Sequence, residues 1–126
     1  MKNLSLVRGL PGNLFAGCAA AFLLAGAALL PVAEASDVTA NGKQLAFDRS
    51  KGNCLACHAI ADGELPGTIA PPLINMRERY PNAADLRAQI ADASVRNPRT
   101  TMPPFARHRI LTDDEIDAIV EYLYTL

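Results

Sequence analysis

The run Cys54-Leu55-Ala56-Cys57-His58 constrains what this chain can fold into more than any other feature of it. Two thiols separated by two residues can reach the two vinyl groups on one edge of a porphyrin. The residue that follows then projects over the ring centre, where an imidazole can bind iron. Three other uses of the run compete. A thioredoxin-like redox pair needs a βαβ context, and no alternating run of β-branched residues supplies the strands. A closed zinc site would have to use Cys54, Cys57, His58 and His108, and adjacent ligands at 57 and 58 fit a tetrahedron poorly. A plain disulfide would leave His58 without purpose. The expectation is therefore one covalent haem c, carried by Cys54 and Cys57, with His58 on the iron.

The sequence has 126 residues, which suits one domain. Its first part does not read as domain. Lys2 and Arg8 give a positive start, and an apolar run follows from Ala16 to Leu30. Pro31 breaks the run, and Ala33-Glu34-Ala35 places small residues where a signal peptidase reads them. Residues 1–35 are expected to be a cleaved signal peptide and 36–126 the domain, delivered to the periplasm. A retained anchor is the alternative, but the run is short for a bilayer span. A lipoprotein reading at Cys18 is weaker, because most of the apolar run lies after that cysteine. Of the three cysteines, only Cys54 and Cys57 survive processing, into an oxidising compartment where thiols tend to be paired. The formal net charge of −1 argues against nucleic acid as a partner. So small a domain buries a modest core, and a haem would add a large apolar body to pack on.

The pattern predicts an all-α fold with three main helices and proline-rich connections. The first helix is expected from about Thr39 to Ser50, with Gly42, Leu45, Ala46 and Arg49 on one stripe. Gly42 would let another helix approach, and Gly52 would cap the end. The second starts at the N-cap Asn82, carries Leu86 and Ile90 on one face, and is expected to end before Pro98. The last has a capping box at Thr112-Asp113-Asp114-Glu115, with Leu111 and Ile116 as its staple. Ile116, Ile119, Val120 and Leu123 form its apolar stripe, expected to pack on the first helix.

Opposite His58 the candidates for iron are Met76, Met102 and His108. Met102 precedes Pro103-Pro104, which hold it extended and stiffen the loop. A weak thioether ligand needs such a strap, so Met102 is the expected sixth ligand. Met76 is expected as an apolar contact or core residue, and His108 as a surface side chain. The carbonyl of Pro71 is expected to accept from the His58 imidazole N–H. Arg96, Arg99, Arg107 and Arg109 flank the strap and could meet haem propionates, an acidic partner or only solvent. No nucleophile–base pair, phosphate loop or carboxylate cluster stands out, so no catalytic residue is assigned.

The layout of Cys54-Leu55-Ala56-Cys57-His58, a Pro71 turn and a Met102 strap resembles class I cytochromes c. Gly52-Asn53 before the cysteines, Pro71-Pro72-Leu73, Asn97-Pro98, Met102-Pro103-Pro104-Phe105 and His108-Arg109-Ile110-Leu111-Thr112 together resemble the SoxX family. Ala70 and Ala106 stand where that family is expected to have glycines. The resemblance implies a class I cytochrome c-like fold and a heterodimer with a larger SoxA-like cytochrome in the periplasm. It also implies transient contact with a SoxY-like carrier protein, whose cysteine is joined to thiosulfate, and a small cytochrome as electron acceptor. The sulfur chemistry would belong to the larger subunit. Cys54 and Cys57 would attach haem here, and His58 and Met102 would ligate its iron. Two rivals are a free-standing periplasmic electron shuttle and a sensor that releases Met102 to bind a gas.

Overall fold

The last helix shows most directly how local sequence becomes architecture. The Thr112 hydroxyl accepts from the Glu115 backbone N–H at 3.2 Å, and the Glu115 carboxylate accepts from the Thr112 N–H at 2.8 Å. Both halves of the expected capping box are thus present. The computed structural model describes residues 32–126, so the apolar run expected as a signal peptide lies outside the described residues. Four helices follow in order: α1 Val32–Phe47, α2 Met76–Arg79, α3 Ala83–Ala91 and α4 Asp113–Leu123. Short 3-10 turns occupy Cys54–Ala56 and Ala93–Val95, and no strand occurs among the described residues. None of the described helices is long and apolar enough to cross a membrane.

α1 packs against α4, and α3 also packs on α4. The stripe Ile116, Ile119, Val120 and Leu123 is buried in that core together with Leu111, Leu86 and Ile90. Each such side chain contributes about 1.5–3 kcal/mol relative to leaving it in water. At Gly42 the two helices meet closely. A Cβ built there would stand 1.9 Å from the carbonyl oxygen of Ala118, so only a glycine allows this approach. Beside it Phe47 and Tyr122 pack edge to face, with ring centroids 6.0 Å apart.

Three boundaries differ from the sequence expectation, and the two helix ends among them have a local cause. α1 starts earlier than Thr39 and ends at Phe47. There the Asp48 carboxylate takes the Ser50 backbone N–H at 2.7 Å and turns the chain out of the helix. Arg49 therefore falls outside α1. Gly52 does serve the helix end, donating to the Leu45 carbonyl at 3.0 Å. α3 starts at the expected cap, with Asn82 accepting from the Ala84 N–H at 3.1 Å, but stops at Ala91 well before Pro98. The Asp92 side chain accepts from the Ser94 N–H at 3.0 Å and begins a separate turn. The short helix α2 was not foreseen. It starts after Asn75, which holds a left-handed backbone at φ 50°.

Replacing Thr112 by Ala is expected to cost about 1 kcal/mol, since it removes the cap of the helix that carries the largest share of the core. A lowered urea midpoint with unchanged m-value would show it.

Candidate functional site: a cavity between the cysteine turn and the methionine strap

The site is assembled from the loop that leaves α1. Asn53 takes a left-handed conformation at φ 46° and swings the chain into the turn beginning at Cys54. The Cys54 carbonyl accepts from the N–H groups of both Cys57, at 3.2 Å, and His58, at 2.8 Å. That winding sets Cys54, Cys57 and His58 on one compact turn. Lys51, just upstream, reaches Glu115 of α4 at 2.6 Å and ties the loop to the core.

The segment after the motif is laced to it. Gly67 N–H donates to Leu55 at 2.7 Å, Ala70 to Cys57 at 2.9 Å and Leu73 to Ala59 at 2.9 Å. A Cβ at Gly67 would stand 2.2 Å from the Ala56 carbonyl oxygen, so that approach also needs glycine. The lacing brings the Pro71 carbonyl to 2.6 Å from Nδ1 of His58, as the sequence leads one to expect. A carbonyl can only accept, so Nδ1 carries the proton, and Nε2 keeps its lone pair for a metal. Arg79 braces the same segment, donating to the Pro72 carbonyl at 2.8 Å. Nothing in the pattern singled out Arg79; its role arises only because α2 folds back over the Pro71-Pro72 turn.

The strap comes from the other side. Asn97 accepts from the Thr100 N–H through its carbonyl at 2.9 Å and from the Arg99 N–H through its side chain at 3.1 Å. Thr100 Oγ1 accepts from the Met102 N–H at 3.1 Å. Phe105 is buried and anchors the strap below Pro103-Pro104. Between strap and cysteine turn lies a cavity of about 620 Å³, a volume in the range that receives cofactor-sized molecules.

Cys54, Cys57, His58 and Met102 all line that cavity. Its walls are largely apolar, built from residues such as Leu73, Leu86, Ile90, Phe105 and Leu123. His108 does not line it and is exposed, as expected. Met76 lines it but is a core residue, 2% exposed, and its sulfur accepts from Arg79 at 3.5 Å. Of the four strap arginines only Arg99 lines the cavity. Arg96 pairs with Asp85 at 3.3 Å and lies over the Tyr80 ring, while Arg107 pairs with Asp92 at 3.5 Å. Arg109 is exposed, in a left-handed conformation at φ 55°. Arg49 and Tyr80 also line the cavity; periodicity had put Arg49 on the α1 stripe, and no pattern pointed to Tyr80.

Protonation separates the competing uses of the motif. Burial pushes the Cys54 thiol up to about 11, and the neighbouring Cys57 adds to this. A disulfide-exchange pair needs the opposite, a thiol pushed down toward neutrality. Cys54 and Cys57 are not bonded to each other. Among the described residues no group of three or more His, Cys, Asp and Glu side chains is placed to hold a metal ion, which removes the closed zinc site. What remains fits a haem: two thiols at one edge, an imidazole with its outer nitrogen free, a thioether on the strap, and apolar walls.

Glu115 connects this site to pH. The Lys51 ammonium, and then the Thr112 backbone N–H, hold its carboxyl below the ordinary value of 4.5. A depressed folded value means stability that is complete above pH 4.5 and is lost as pH falls through the lower folded value. Asp48 and Asp92 are lowered in the same direction by their hydrogen bonds to Ser50 and Ser94. Glu115→Gln is therefore expected to flatten, without abolishing, the acid limb of stability below pH 4.5. An acid limb as steep as that of the unaltered protein would refute the Lys51 tether as its source.

The cytochrome c family model matches residues 39–126. Among solved structures the chain is similar to SoxXA from P. pantotrophus, with 31% sequence identity and a TM-score of 0.62, over 69% of this chain and 80% of that one. No curated protein matches the chain at a significant level. The all-helical architecture agrees with a class I cytochrome c-like fold. Family and structural likeness together make this chain a SoxX-like member of the cytochrome c family, which carries covalent haem c with its iron.

Proposed function

We propose that the chain is the electron-accepting subunit of a periplasmic thiosulfate-oxidising complex of the SoxAX type. Cys54 and Cys57 would carry the haem through thioethers, and His58 and Met102 would ligate its iron. The observation that carries the electron-transfer role is the convergence of all four side chains on one cavity. The likeness to SoxXA supports the assembly. The larger subunit would perform the sulfur chemistry on a carrier-protein cysteine, and a small cytochrome would take the electron onward. Residues 1–35 would direct export and be removed, so the processed chain begins within α1.

The haem, when bound, supplies a one-electron iron couple. The chain's residues tune and enclose it. Pro71 holds the His58 ring in one orientation and strengthens its donation through Nε2. A Met102 thioether raises the reduction potential relative to a second imidazole. His58 and Met102 would both be engaged as ligands, so the group held here would serve to pass electrons and would offer no place for a substrate.

Replacing Met102 by Ala is expected to abolish the iron–sulfur absorption at the red end of the spectrum and to lower the potential. An unchanged spectrum would assign the sixth position elsewhere. The assembly itself is tested by purifying the tagged chain from its native periplasm. A larger haem protein should accompany it in fixed ratio, and preparations lacking either subunit should fail to oxidise thiosulfate. A monomer that cycles without any sulfur-oxidising partner would favour a free-standing shuttle.

A further inference from the structure

The cavity lining has a one-sided charge. Arg49, Lys51, Arg79 and Arg99 line it, and no Asp or Glu does. Two of these cations are already engaged: Lys51 with Glu115, and Arg79 with the carbonyls of Pro72 and Ile74. Arg49 belongs to the loop leading directly into Cys54, the thiol edge of the cavity. Arg99 belongs to the strap, and its guanidinium has no hydrogen-bond or ion-pair partner within the described chain. Its backbone is nevertheless held, because the Asn97 side chain accepts from its N–H at 3.1 Å and the next residue is bonded to the Asn97 carbonyl.

The chemistry of the cofactor supplies the complement. Protoporphyrin carries its two vinyl groups on one side and its two propionates on the other. If the thiols take the vinyl edge, the carboxylates emerge away from Cys54 and Cys57, and something cationic there must offset them. We propose that Arg99 pairs with a haem propionate and thereby couples the strap to the charge of the cofactor. This rests on the attachment proposed above for Cys54 and Cys57. Arg99 is a positioning residue: it touches no iron, but it joins the segment carrying Met102 to the acid edge of the ring. A guanidinium suits this task, since its planar fork meets a carboxylate in two parallel hydrogen bonds. Its positive charge also favours the reduced iron over the oxidised one.

The test compares reduction potentials of the intact haem protein with those of Arg99→Gln and Arg99→Lys, in dilute buffer and at about 1 M salt, where screening length falls to about 3 Å. Arg99→Gln should lower the potential under both conditions, with the iron–sulfur band retained, and Arg99→Lys should keep most of the original value. The proposal is overturned if the potential of Arg99→Gln is unmoved, or moves only in dilute buffer, as a distant surface charge would. It is equally overturned if Arg99→Lys falls as far as Arg99→Gln, or if the fall comes with loss of the iron–sulfur band. A protein that purifies without attached haem would instead refute the attachment on which the inference rests, and is told apart by its lack of colour.

Discussion

Gly42→Val should lose about 3 kcal/mol or more of stability, a large share of the 5–15 kcal/mol that holds a typical domain. The reason is the identity of what the new side chain meets. The added Cβ would stand 1.9 Å from the Ala118 carbonyl oxygen and 2.6 Å from its carbon, both backbone atoms of α4. A flexible side chain could turn aside; a helix backbone can only withdraw. Withdrawal would part α1 from α4 and uncover the seam of Ile116, Ile119 and Tyr122. Gly42→Ala makes the sharper test of sign. Alanine is the better helix former by about 1 kcal/mol, yet the contact predicts net destabilisation. Urea unfolding followed by circular dichroism measures both variants, and an alanine variant more stable than the parent would show that the helices are not in contact at Gly42.

Cys57→Ser is expected to leave the haem attached through Cys54 alone. One vinyl group then stays conjugated with the ring, so the absorption of the haem in denaturant moves to longer wavelength. Mass spectrometry of the denatured chain should still find haem bonded to it. The loss is large because each thioether removes a route by which the cofactor leaves, and the apolar walls around the cavity have nothing else of that size to pack on. Two intact links in the serine variant would contradict the assignment of Cys57.

Much of the site was legible before any coordinates because its logic is local or pairwise in sequence. A pair of thiols two residues apart followed by histidine states its own spacing, and prolines after Met102 restrict the backbone of their own neighbourhood. The Pro71 carbonyl was found as a partner of His58 because prolines leave few conformations for the connecting chain. The capping box at Thr112 and the N-cap at Asn82 were equally local. Where local competition decided a boundary, periodicity misled. Asp48 and Asp92 each captured a backbone N–H two residues on, and so ended α1 and α3 earlier than the apolar pattern implied.

By itself the sequence determined which thiols, imidazole and thioether are available to a porphyrin, and that helices would surround them. These follow from residue types at short separations. Tertiary structure decided which further residues face the cavity. Arg49, Arg79, Tyr80 and Arg99 were brought to it by loops and by a four-residue helix with no pattern of their own. Met76 and His108 went where the sequence had placed them, one into the core and one onto the surface. Side-chain orientation across a folded chain depends on contacts between residues far apart in sequence, and those contacts exist only once Gly42 has let α1 settle against α4.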